Sequence, residues 1–282
     1  MKHLRPRRGL GQSFLTYEPV ADALVESLGV RPTDTVLEVG PGKGMLTRRL
    51  VTLAAKVIAV EIDERLAEGL RNELASAAPV GQPGGCGNLE VVQADFMKFD
   101  LEPFRHLKML GNLPYNLSSQ ILFKLLESLR SWDVAVLTTQ REFAYRVVAV
   151  PGSKAYGALS VFFDRLTIRE RLFNIPPESF KPRPDVVSTS FRLIRREQPL
   201  YAVPDEASFR RVVKVCFAQR RKTIANNLVA GLKLTRDVVV AHLKQAGIEP
   251  AARAETLSGE QFKKLADALA AGTQDAAVTP SP

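Results

Sequence analysis

The stretch Thr35-Val36-Leu37-Glu38-Val39-Gly40-Pro41-Gly42-Lys43-Gly44 decides the fold of this 282-residue chain. Its first half is a β-branched, apolar run that predicts a buried strand, and its second half is a glycine-rich turn. Residues 45–51 follow with the apolar spacing of a helix. Strand, glycine turn and helix in this order are typical of doubly wound sheets, where glycines let the backbone approach a ligand. The stretch therefore predicts an α/β fold with a ligand site at the carboxyl ends of its strands.

The second predicted strand, residues 56–60, ends in an acid. Glu61 lies 21 positions after Gly40, where a carboxylate can accept hydrogen bonds from ribose hydroxyls. The glycine spacing is Gly-x-Gly-x-Gly, which differs from the Gly-x-Gly-x-x-Gly of dinucleotide sites and lacks the Gly-Lys-Ser/Thr ending of a P-loop. The two strands together predict half of a nucleoside-binding unit.

Two further predicted strands end in residues suited to a planar base. The third leads into Asp95-Phe96, an acid that can bind an amino group beside a ring that can stack. The fourth leads into Asn112-Leu113-Pro114-Tyr115, where Pro114 delays the start of the next helix. The amide, carbonyls and ring of this turn can accept hydrogen bonds from an exocyclic amine while stacking on its base. Taken alone, each motif also fits a capping acid or a core aromatic.

Composition excludes several classes of protein. The chain is 45% hydrophobic and 24% charged, as in globular proteins, and no apolar run approaches the ~18 residues that span a membrane. Two distant cysteines predict no disulfide framework, and three histidines without ligand spacing predict no metal site. We expect a cytoplasmic protein that binds neither metal nor membrane.

The net charge of +9 is concentrated in two segments. Residues 1–17 carry four basic and no acidic side chains, and residues 205–233 carry seven basic against two acidic ones. Such clustering points to a polyanionic partner, although a basic face that only aids solubility is the alternative. A continuous helix over residues 208–230 would place Arg210, Lys214 and Arg221 in one basic stripe.

The rest of the chain yields coarser predictions. Residues 159–163 and 187–193 are interpreted as closing strands, and between them a proline-stiffened loop presents Phe180. Residues 237–245 and 258–270 have helical spacing. We predict a first domain over 1–195, a helical domain over 196–270 and a disordered tail over 271–282.

The ordered motifs resemble those of S-adenosylmethionine-dependent rRNA adenine dimethyltransferases, over about residues 8–265. They are, in chain order, Gln12-Ser13-Phe14-Leu15, Glu38-Val39-Gly40-Pro41-Gly42-Lys43-Gly44, Glu61, Asp95-Phe96, Asn112-Leu113-Pro114-Tyr115, Gln140–Arg146, Gly152–Ser160, Phe180–Ser188 and Phe217–Thr223. The last three favour the KsgA/RsmA small-subunit family over the Erm methylases of large-subunit rRNA. The resemblance implies a Rossmann-like class I methyltransferase fold, with a seven-stranded doubly wound sheet and a small all-helical C-terminal domain. Ser13 departs from the family pattern, which usually has Asn or His there.

The resemblance also implies roles for individual residues. S-adenosylmethionine would approach Gly40 and Gly42, its ribose would bind Glu61, and its adenine would bind Asp95 and Phe96. The remaining cofactor contacts it implies are Gln12, Ser13, Leu15, Ile62 and Asn112. The catalytic set it implies is Asn112, Leu113, Pro114, Tyr115 and Phe180, with Tyr115 and Phe180 on opposite faces of a flipped adenine. The RNA-binding set is Arg7, Arg8, Arg210, Lys214, Arg220, Arg221 and Lys222.

The implied function is transfer of methyl groups to N6 of two adjacent adenines in small-subunit (16S) rRNA, during maturation of that subunit. The implied partner is rRNA in an assembling subunit, bound by a monomer. An Erm-like methylase and a non-catalytic RNA-binding assembly factor are the alternatives. An NAD-dependent oxidoreductase would fit the first two strands but leave Asn112–Tyr115 and the basic segment unexplained.

Overall fold

The computed structural model describes residues 12–75 and 86–277, which form two compact units. The first contains the described residues up to Ala144 together with Ile168–Arg195. The second contains Tyr145–Thr167 and the described residues from Arg196 onward. One division thus follows Arg195, where the sequence suggested a domain boundary, whereas Tyr145–Thr167 belongs to the helical unit and not to the predicted first domain.

The first unit is built on a seven-stranded sheet, which confirms the predicted fold class. Its strand order is β4-β3-β2-β5-β6-β9-β7, and β1 pairs with β8 in a separate two-stranded sheet. Strands β4, β3, β2, β5 and β6 run parallel to one another, whereas β9 runs antiparallel to β6. The strands are β1 Phe14–Leu15, β2 Thr35–Val39, β3 Lys56–Glu61, β4 Leu89–Gln93, β5 Leu107–Asn112, β6 Trp132–Gln140, β7 Thr167–Ile175, β8 Phe180–Lys181 and β9 Ser188–Arg195.

Helices connect the strands and form most of the second unit. The helices are α1 Glu18–Leu28, α2 Thr47–Leu50, α3 Glu64–Ala75, α4 Ser118–Glu127, α5 Arg141–Val148, α6 Ala158–Leu166, α7 Glu206–Cys216, α8 Ile224–Leu232, α9 Arg236–Gln245 and α10 Gly259–Ala277. On α1, Ala21, Leu24, Val25 and Leu28 are buried and belong to one core cluster with Leu110 of β5 and Val136 of β6. This packing covers one face of the central strands.

The strand predicted over residues 159–163 is wrong, because these residues lie in helix α6. A short apolar run does not distinguish a strand from a buried helix, and Val161, Phe162 and Phe163 are all buried. Ser160 stabilises the helix start, since the backbone N–H of Gly157 donates to its Oγ at 3.0 Å. The closing strand is β7, which follows directly. The sequence pattern did not predict β7, because its charged stretch 169–171 interrupts the apolar pattern of a strand.

The single helix predicted over residues 208–230 is also wrong, because α7 ends at Cys216 and α8 begins at Ile224. The Nδ2 atom of Asn227 donates to the carbonyls of Cys216 (2.7 Å) and Gln219 (3.1 Å), so carbonyls exposed by the helix end are satisfied. Thr223 caps α8 by accepting from the Asn226 N–H. The expected stripe of Arg210, Lys214 and Arg221 therefore does not exist, since Arg221 lies in the intervening turn.

The last helix is longer than the sequence pattern suggested. Helix α10 continues to Ala277, so residues 271–277 are helical where a disordered tail was expected to begin. Alanine has the highest helix propensity, and three of the seven residues in this segment are alanine.

Candidate functional site

A cavity lies where the parallel strands of the first unit end. Its volume is about 1040 Å³, including space open to solvent. The lining residues come from five segments that the sequence had singled out, and they are 12–15, 38–43 with 45–46, 60–62, 94–97, and 112–115 with 117, together with Ile121 of α4. The carboxyl ends of β2, β3 and β5 therefore meet at one site, as expected for a doubly wound sheet.

The turn after β2 brings backbone to the cavity without side chains. Gly40 and Gly42 have φ of 68° and 57°, a left-handed conformation that other residues adopt only with strain. A Cβ at Gly40 would meet nothing within 4 Å, whereas one at Gly42 would lie 2.9 Å from the Phe14 ring. This turn can therefore admit a ligand close to its peptide groups.

Glu61 ends β3 and organises the glycine turn. One carboxylate oxygen accepts from the Gly42 N–H at 3.0 Å, and the other accepts from the Asp63 N–H at 2.9 Å. The side chain is only 4% exposed, and this burial raises the pKa of the Glu61 carboxyl above its usual value. A carboxylate has about four lone-pair sites, so Glu61 can still accept a hydrogen bond from a ligand hydroxyl.

Glu38 is a cavity residue to which the sequence motifs assigned no role. It is 1% exposed, it accepts a 2.7 Å hydrogen bond from Thr47 Oγ1, and burial raises its pKa to about 8. The signal was present in the sequence, because an acid inside the apolar strand β2 has to be buried. The carboxyl can serve as an acceptor for a polar or cationic ligand group.

Asp95 and Phe96 form another wall of the cavity. One Asp95 oxygen, Oδ1, accepts from the Met97 N–H at 2.9 Å, and Oδ2 has no partner among the described residues. The Phe96 ring is 7% exposed, and Lys124 Nζ lies 5.6 Å from its centroid. An acceptor beside a fixed ring suits a planar base that carries an amino group.

The segment before α1 lines the cavity and is held by two side-chain hydrogen bonds. Gln12 Nε2 donates to Asp63 Oδ2 at 3.3 Å, and Ser13 Oγ donates to the Pro182 carbonyl at 2.8 Å. Leu15 lines the cavity and also packs in the main core cluster. Ile62, the exposed cavity residue after Glu61, completes the predicted cofactor set at this site.

The turn after β5 carries the most informative single atom. Asn112 Nδ2 donates to the Ser13 carbonyl at 2.9 Å, which fixes the orientation of the amide. The amide oxygen Oδ1 is buried and has no hydrogen-bond partner among the described residues. A buried polar atom without a partner costs roughly 1–3 kcal/mol, so a donor that reaches it from the cavity is stabilised there. Because Asn112 lines the cavity, a ligand bound there can donate this hydrogen bond.

Neighbouring residues hold the turn in place. The Leu113 N–H donates to the Thr138 carbonyl at 2.9 Å. Ser118 Oγ donates to the Pro114 carbonyl at 3.0 Å. Tyr115 Oη shares a 2.7 Å hydrogen bond with Ser188 Oγ, and burial raises the pKa of the Tyr115 hydroxyl. Ser188 is fully buried and stands out only in the structure as a partner of Tyr115.

Phe180 does not line the cavity in this structure, and its stacking role stays a prediction. The β8 pairing sets Phe180 opposite Leu15 of β1, and the ring packs in the same core cluster as Leu15 and Ile175. It is 4% exposed and is not among the residues that line the cavity. In this structure Tyr115 lines the cavity, whereas Phe180 supports the strand beside it.

The predicted RNA-binding residues fall into different environments. Arg7 and Arg8 lie outside the described residues. Arg210 lies 3.9 Å from Glu206 on α7, which also carries Lys214. Arg220 donates to backbone carbonyls, while Arg221 and Lys222 are exposed. The described members therefore differ in their contacts, and their role in RNA binding stays a prediction.

Metal clusters and membrane-spanning helices are both absent from the described residues. No cluster of three or more His, Cys, Asp or Glu side chains there could hold a metal ion. None of the helices in that part of the chain is both long and apolar enough to span a membrane.

Comparison with known proteins identifies clear relatives. A model of the ribosomal RNA adenine dimethylase family matches residues 3–271. Ribosomal RNA small subunit methyltransferase A of Syntrophotalea carbinolica is 40% identical over 271 residues, covering 95% of this chain and 98% of that protein. The protein of the same name from Geobacter metallireducens is 39% identical over 275 residues, covering 95% and 97%.

Two solved structures resemble this one over most of its length. A dimethyladenosine transferase from Plasmodium falciparum has a TM-score of 0.75 and 26% identity, covering 89% of this chain and 95% of that one. The 23S rRNA methyltransferase ErmE has a TM-score of 0.67 and 33% identity, covering 91% and 99%.

Proposed function

The chain belongs to the ribosomal RNA adenine dimethylase family, and we propose that it transfers methyl groups from S-adenosylmethionine to N6 of adenines in small-subunit rRNA. The buried, unpartnered Oδ1 of Asn112 carries the proposal. This oxygen is an acceptor fixed at the cavity wall, and it could bind the amino group of an adenine. The Tyr115 ring also lines the cavity, and it could stack on the same base. We further propose that two adjacent adenines receive two methyls each, in rRNA of an assembling subunit bound by a monomer.

The cavity fits S-adenosylmethionine. The left-handed glycines leave room at the turn after β2, Glu61 retains lone pairs for ribose hydroxyls, and Asp95 Oδ2 is free to accept from the cofactor's adenine amine. Gln12, Ser13 and Leu15 border the remaining side, where the methionine part would lie. When bound, the cofactor would supply an electrophilic methyl group on a positively charged sulfur. Transfer of this group would form an N–C bond at N6 and break the S–C bond, with a neutral thioether as the leaving group and the N6 proton lost to solvent.

Asn112 and Leu113 would activate the target nitrogen. The lone pair of an adenine N6 amine is delocalised into the ring, so the amine is a weak nucleophile. Acceptance of its two N–H bonds by Asn112 Oδ1 and the Leu113 carbonyl favours a pyramidal nitrogen with a localised lone pair. The same two acceptors stabilise the positive charge that develops on this nitrogen, and they do so at no reorganisation cost because the turn is already fixed.

Tyr115 would orient the base. Its ring lines the cavity, and the hydrogen bond from its hydroxyl to Ser188 limits how the ring can move. Because the Tyr115 ring and Ser188 are both held by the fold, a base stacked on the ring would be aligned before reaction. Such alignment supplies a large part of a rate enhancement. The target must leave its stack to reach the cavity, as in other enzymes that modify bases.

The direct test uses purified protein, labelled S-adenosylmethionine and unmodified small ribosomal subunits, followed by nucleoside mass spectrometry. We expect N6,N6-dimethyladenosine in the small-subunit RNA. Methylation of naked large-subunit RNA instead would contradict the assigned substrate and support an Erm-like activity. Tight subunit binding without any methyl transfer would support a non-catalytic assembly factor.

A further inference from the structure

Lys43 is a cation at the wall of the cavity, and none of the roles assigned to that site uses its charge. Among the described residues that line the cavity, the charged ones are Lys43 and the acids Glu38, Glu61 and Asp95. Lys43 is half-buried, and its ammonium has no ion pair or hydrogen bond with another described residue. A ligand in the cavity can therefore use this charge.

The backbone that carries Lys43 is fixed by its neighbours. Gly42 and Gly44 on either side have left-handed φ of 57° and 76°. The Gly42 N–H donates to the Glu61 carboxylate at 3.0 Å, and the Gly44 N–H donates to the Pro41 carbonyl at 2.9 Å. The Lys43 side chain therefore starts from a defined point on the cavity wall.

The ammonium of Lys43 lies beside the segment 12–15. Its Nζ is 5.2 Å from the centroid of the Phe14 ring, within the ~6 Å range of a cation–π contact. Phe14 stands between Ser13 and Leu15, which border the side of the cavity proposed for the methionine part of the cofactor. The positive charge is thus placed at that side of the cavity.

The other amide and hydroxyl donors on side chains of the cavity wall already bond to the protein. They are Gln12 Nε2, Ser13 Oγ, Asn112 Nδ2 and Tyr115 Oη, and their partners are Asp63, the Pro182 carbonyl, the Ser13 carbonyl and Ser188. The Lys43 ammonium has three N–H donors, and none has an acceptor among the described residues. Lys43 is therefore the side chain of this wall best placed to bind an anionic group.

An anionic group in this cavity needs such a cation, because the other charged side chains of the wall are acids. Three acids suit the ribose hydroxyls, the ammonium and the sulfonium of S-adenosylmethionine. They would repel its α-carboxylate. A charge that leaves water is tolerated when it is paired with an opposite charge, and Lys43 supplies that charge.

We propose that Lys43 binds the α-carboxylate of S-adenosylmethionine and thereby selects the intact amino acid over analogues that lack this group. The proposal rests on the proposed function, because it takes S-adenosylmethionine as the ligand. Decarboxylated S-adenosylmethionine retains the adenine, the ribose and the sulfonium methyl, so these groups cannot distinguish the two compounds. Lys43 is thus a specificity-determining residue that acts on binding and does not contact the methyl group that is transferred.

A cycle of two proteins and two ligands isolates this contact. Isothermal titration would measure how wild type and Lys43→Met bind S-adenosylmethionine and decarboxylated S-adenosylmethionine. Methionine keeps most of the apolar stem of lysine and removes the charge. We expect Lys43→Met to bind S-adenosylmethionine about tenfold more weakly, because a hydrogen bond between charged groups is lost. It should bind the decarboxylated compound no more weakly than wild type does.

A third ligand and a second variant check the sign of the charge. S-Adenosylhomocysteine has the carboxylate and lacks the sulfonium charge, so Lys43→Met should lose affinity for it by the same factor. Lys43→Arg keeps a cation that pairs with carboxylates, and it should bind S-adenosylmethionine within about threefold of wild type. A tenfold loss in Lys43→Arg as well would mean that the charge is not what the ligand requires.

Lys98→Met is the matched control for the loss of one positive charge. Lys98 is exposed, directly follows the lining segment 94–97 and is not among the residues that line the cavity. Salt screens the interaction of such a charge with a ligand, so this variant should bind all three ligands as wild type does. The unfolding temperature of ligand-free Lys43→Met should also match wild type, which excludes a general loss of structure.

Two outcomes would overturn the proposal while the proposed function stands. Equal losses of affinity for both sulfonium ligands in Lys43→Met would show that Lys43 does not recognise the carboxylate. Unchanged cofactor affinity, with a weaker salt dependence of rRNA binding, would assign Lys43 to a phosphate of the substrate.

Failure of the proposed function gives different results. Wild type that binds S-adenosylmethionine in this carboxylate-dependent way but transfers no methyl would refute the proposed function and leave the role of Lys43 supported. Wild type that binds no S-adenosylmethionine would refute both.

Discussion

The turn at residues 112–115 and the turn at residues 217–223 both present polar groups, but they expose them to different surroundings. The Asn112 amide oxygen is buried, and the donor end of the same amide is held by the Ser13 carbonyl. Arg221 and Lys222 project from a fixed backbone into solvent. In the first turn one lost atom cannot be replaced by water, whereas in the second turn water and ions compete with every contact. Changes at the first turn should therefore be large and specific, and changes at the second small, additive and dependent on salt.

The largest effect is expected from Asn112→Ala. Loss of one preorganised acceptor typically costs about 10²–10³-fold in turnover, whereas affinity for S-adenosylmethionine should stay within about threefold because other residues form most of the cofactor site. Single-turnover methyl transfer and equilibrium cofactor binding would measure the two quantities. Asn116→Ala, which alters an exposed residue of the same loop, is the control and should leave both unchanged. Wild-type turnover in Asn112→Ala would contradict the role assigned to the amide.

Phe180 tests whether burial near the first turn means support or catalysis. Truncation of a buried phenylalanine leaves a cavity, so Phe180→Ala should lower the free energy of unfolding by about 3 kcal/mol in denaturant titrations. Tyr115→Ala should instead reduce turnover and leave the unfolding midpoint nearly unchanged, because Tyr115 is only half-buried. A Phe180→Ala protein with wild-type stability and low turnover would restore the predicted stacking role of Phe180.

Gly42→Ala should weaken cofactor binding by about tenfold, from strain and lost space together. The substitution forces a left-handed alanine and sets its Cβ 2.9 Å from the Phe14 ring at the cavity wall. Gly29→Ala is a matched control, because Gly29 has φ of 61° with nothing within 4 Å of an added Cβ. Isothermal titration with S-adenosylmethionine would compare the two variants. Equal losses of affinity would mean that backbone strain alone, and not the cavity, explains the effect.

A smaller effect, seen only as a change with pH, is expected from Glu38→Gln. Burial raises the pKa of Glu38 from 4.5 to about 8, so this group contributes stability that is complete below pH 4.5 and is lost as pH rises through about 8. The variant should therefore gain a few degrees in unfolding temperature relative to wild type as pH is raised from 5 to 9. Thermal unfolding at several pH values measures this, with the exposed Glu64→Gln as control. A difference that does not grow with pH would contradict it.

The smallest effects are expected from additivity at the second turn. Losses of RNA affinity in Arg221→Ala and Lys222→Ala should sum in the double variant to within about 0.5 kcal/mol, because both side chains are exposed and solvent and salt screen their interaction. Losses of turnover in Asn112→Ala and Tyr115→Ala should not sum, because both residues orient one base. A strongly non-additive loss of RNA affinity in the Arg221 and Lys222 double variant would show that residues of the second turn also act as a unit.

Much of the catalytic site could be predicted from the sequence because it is encoded locally. Each motif follows a strand, and the carboxyl ends of parallel strands meet at one edge of a sheet, so the order of motifs was enough to bring Gly40, Glu61, Asp95 and Asn112 together. The roles assigned to them stay predictions. The pattern could not predict the hydrogen-bond partner of each polar atom, such as the bond from Asn112 to the Ser13 carbonyl or the bond between Tyr115 and Ser188. Those contacts join residues that are 99 and 73 positions apart.

The errors in the prediction have the same cause. Residues 159–163 are apolar enough for a strand, yet burial on every side within the helical unit makes them a helix. The run 208–230 has helical spacing throughout, yet Asn227 stabilises a break that no local signal marks. Phe180 sits in a loop motif, yet its pairing with β1 sends the ring into the core.

The amino-acid sequence thus determined the fold class, the ligand edge of the sheet and the family, since strand order and strand-end motifs depend on neighbours in the chain. Tertiary structure alone decided which of two aromatic rings lines the cavity and which of three adjacent cations is committed to the protein. The physical reason is that a side chain's role depends on whether water can reach it and on which distant backbone group it meets. Both are properties of packing between segments far apart in the chain.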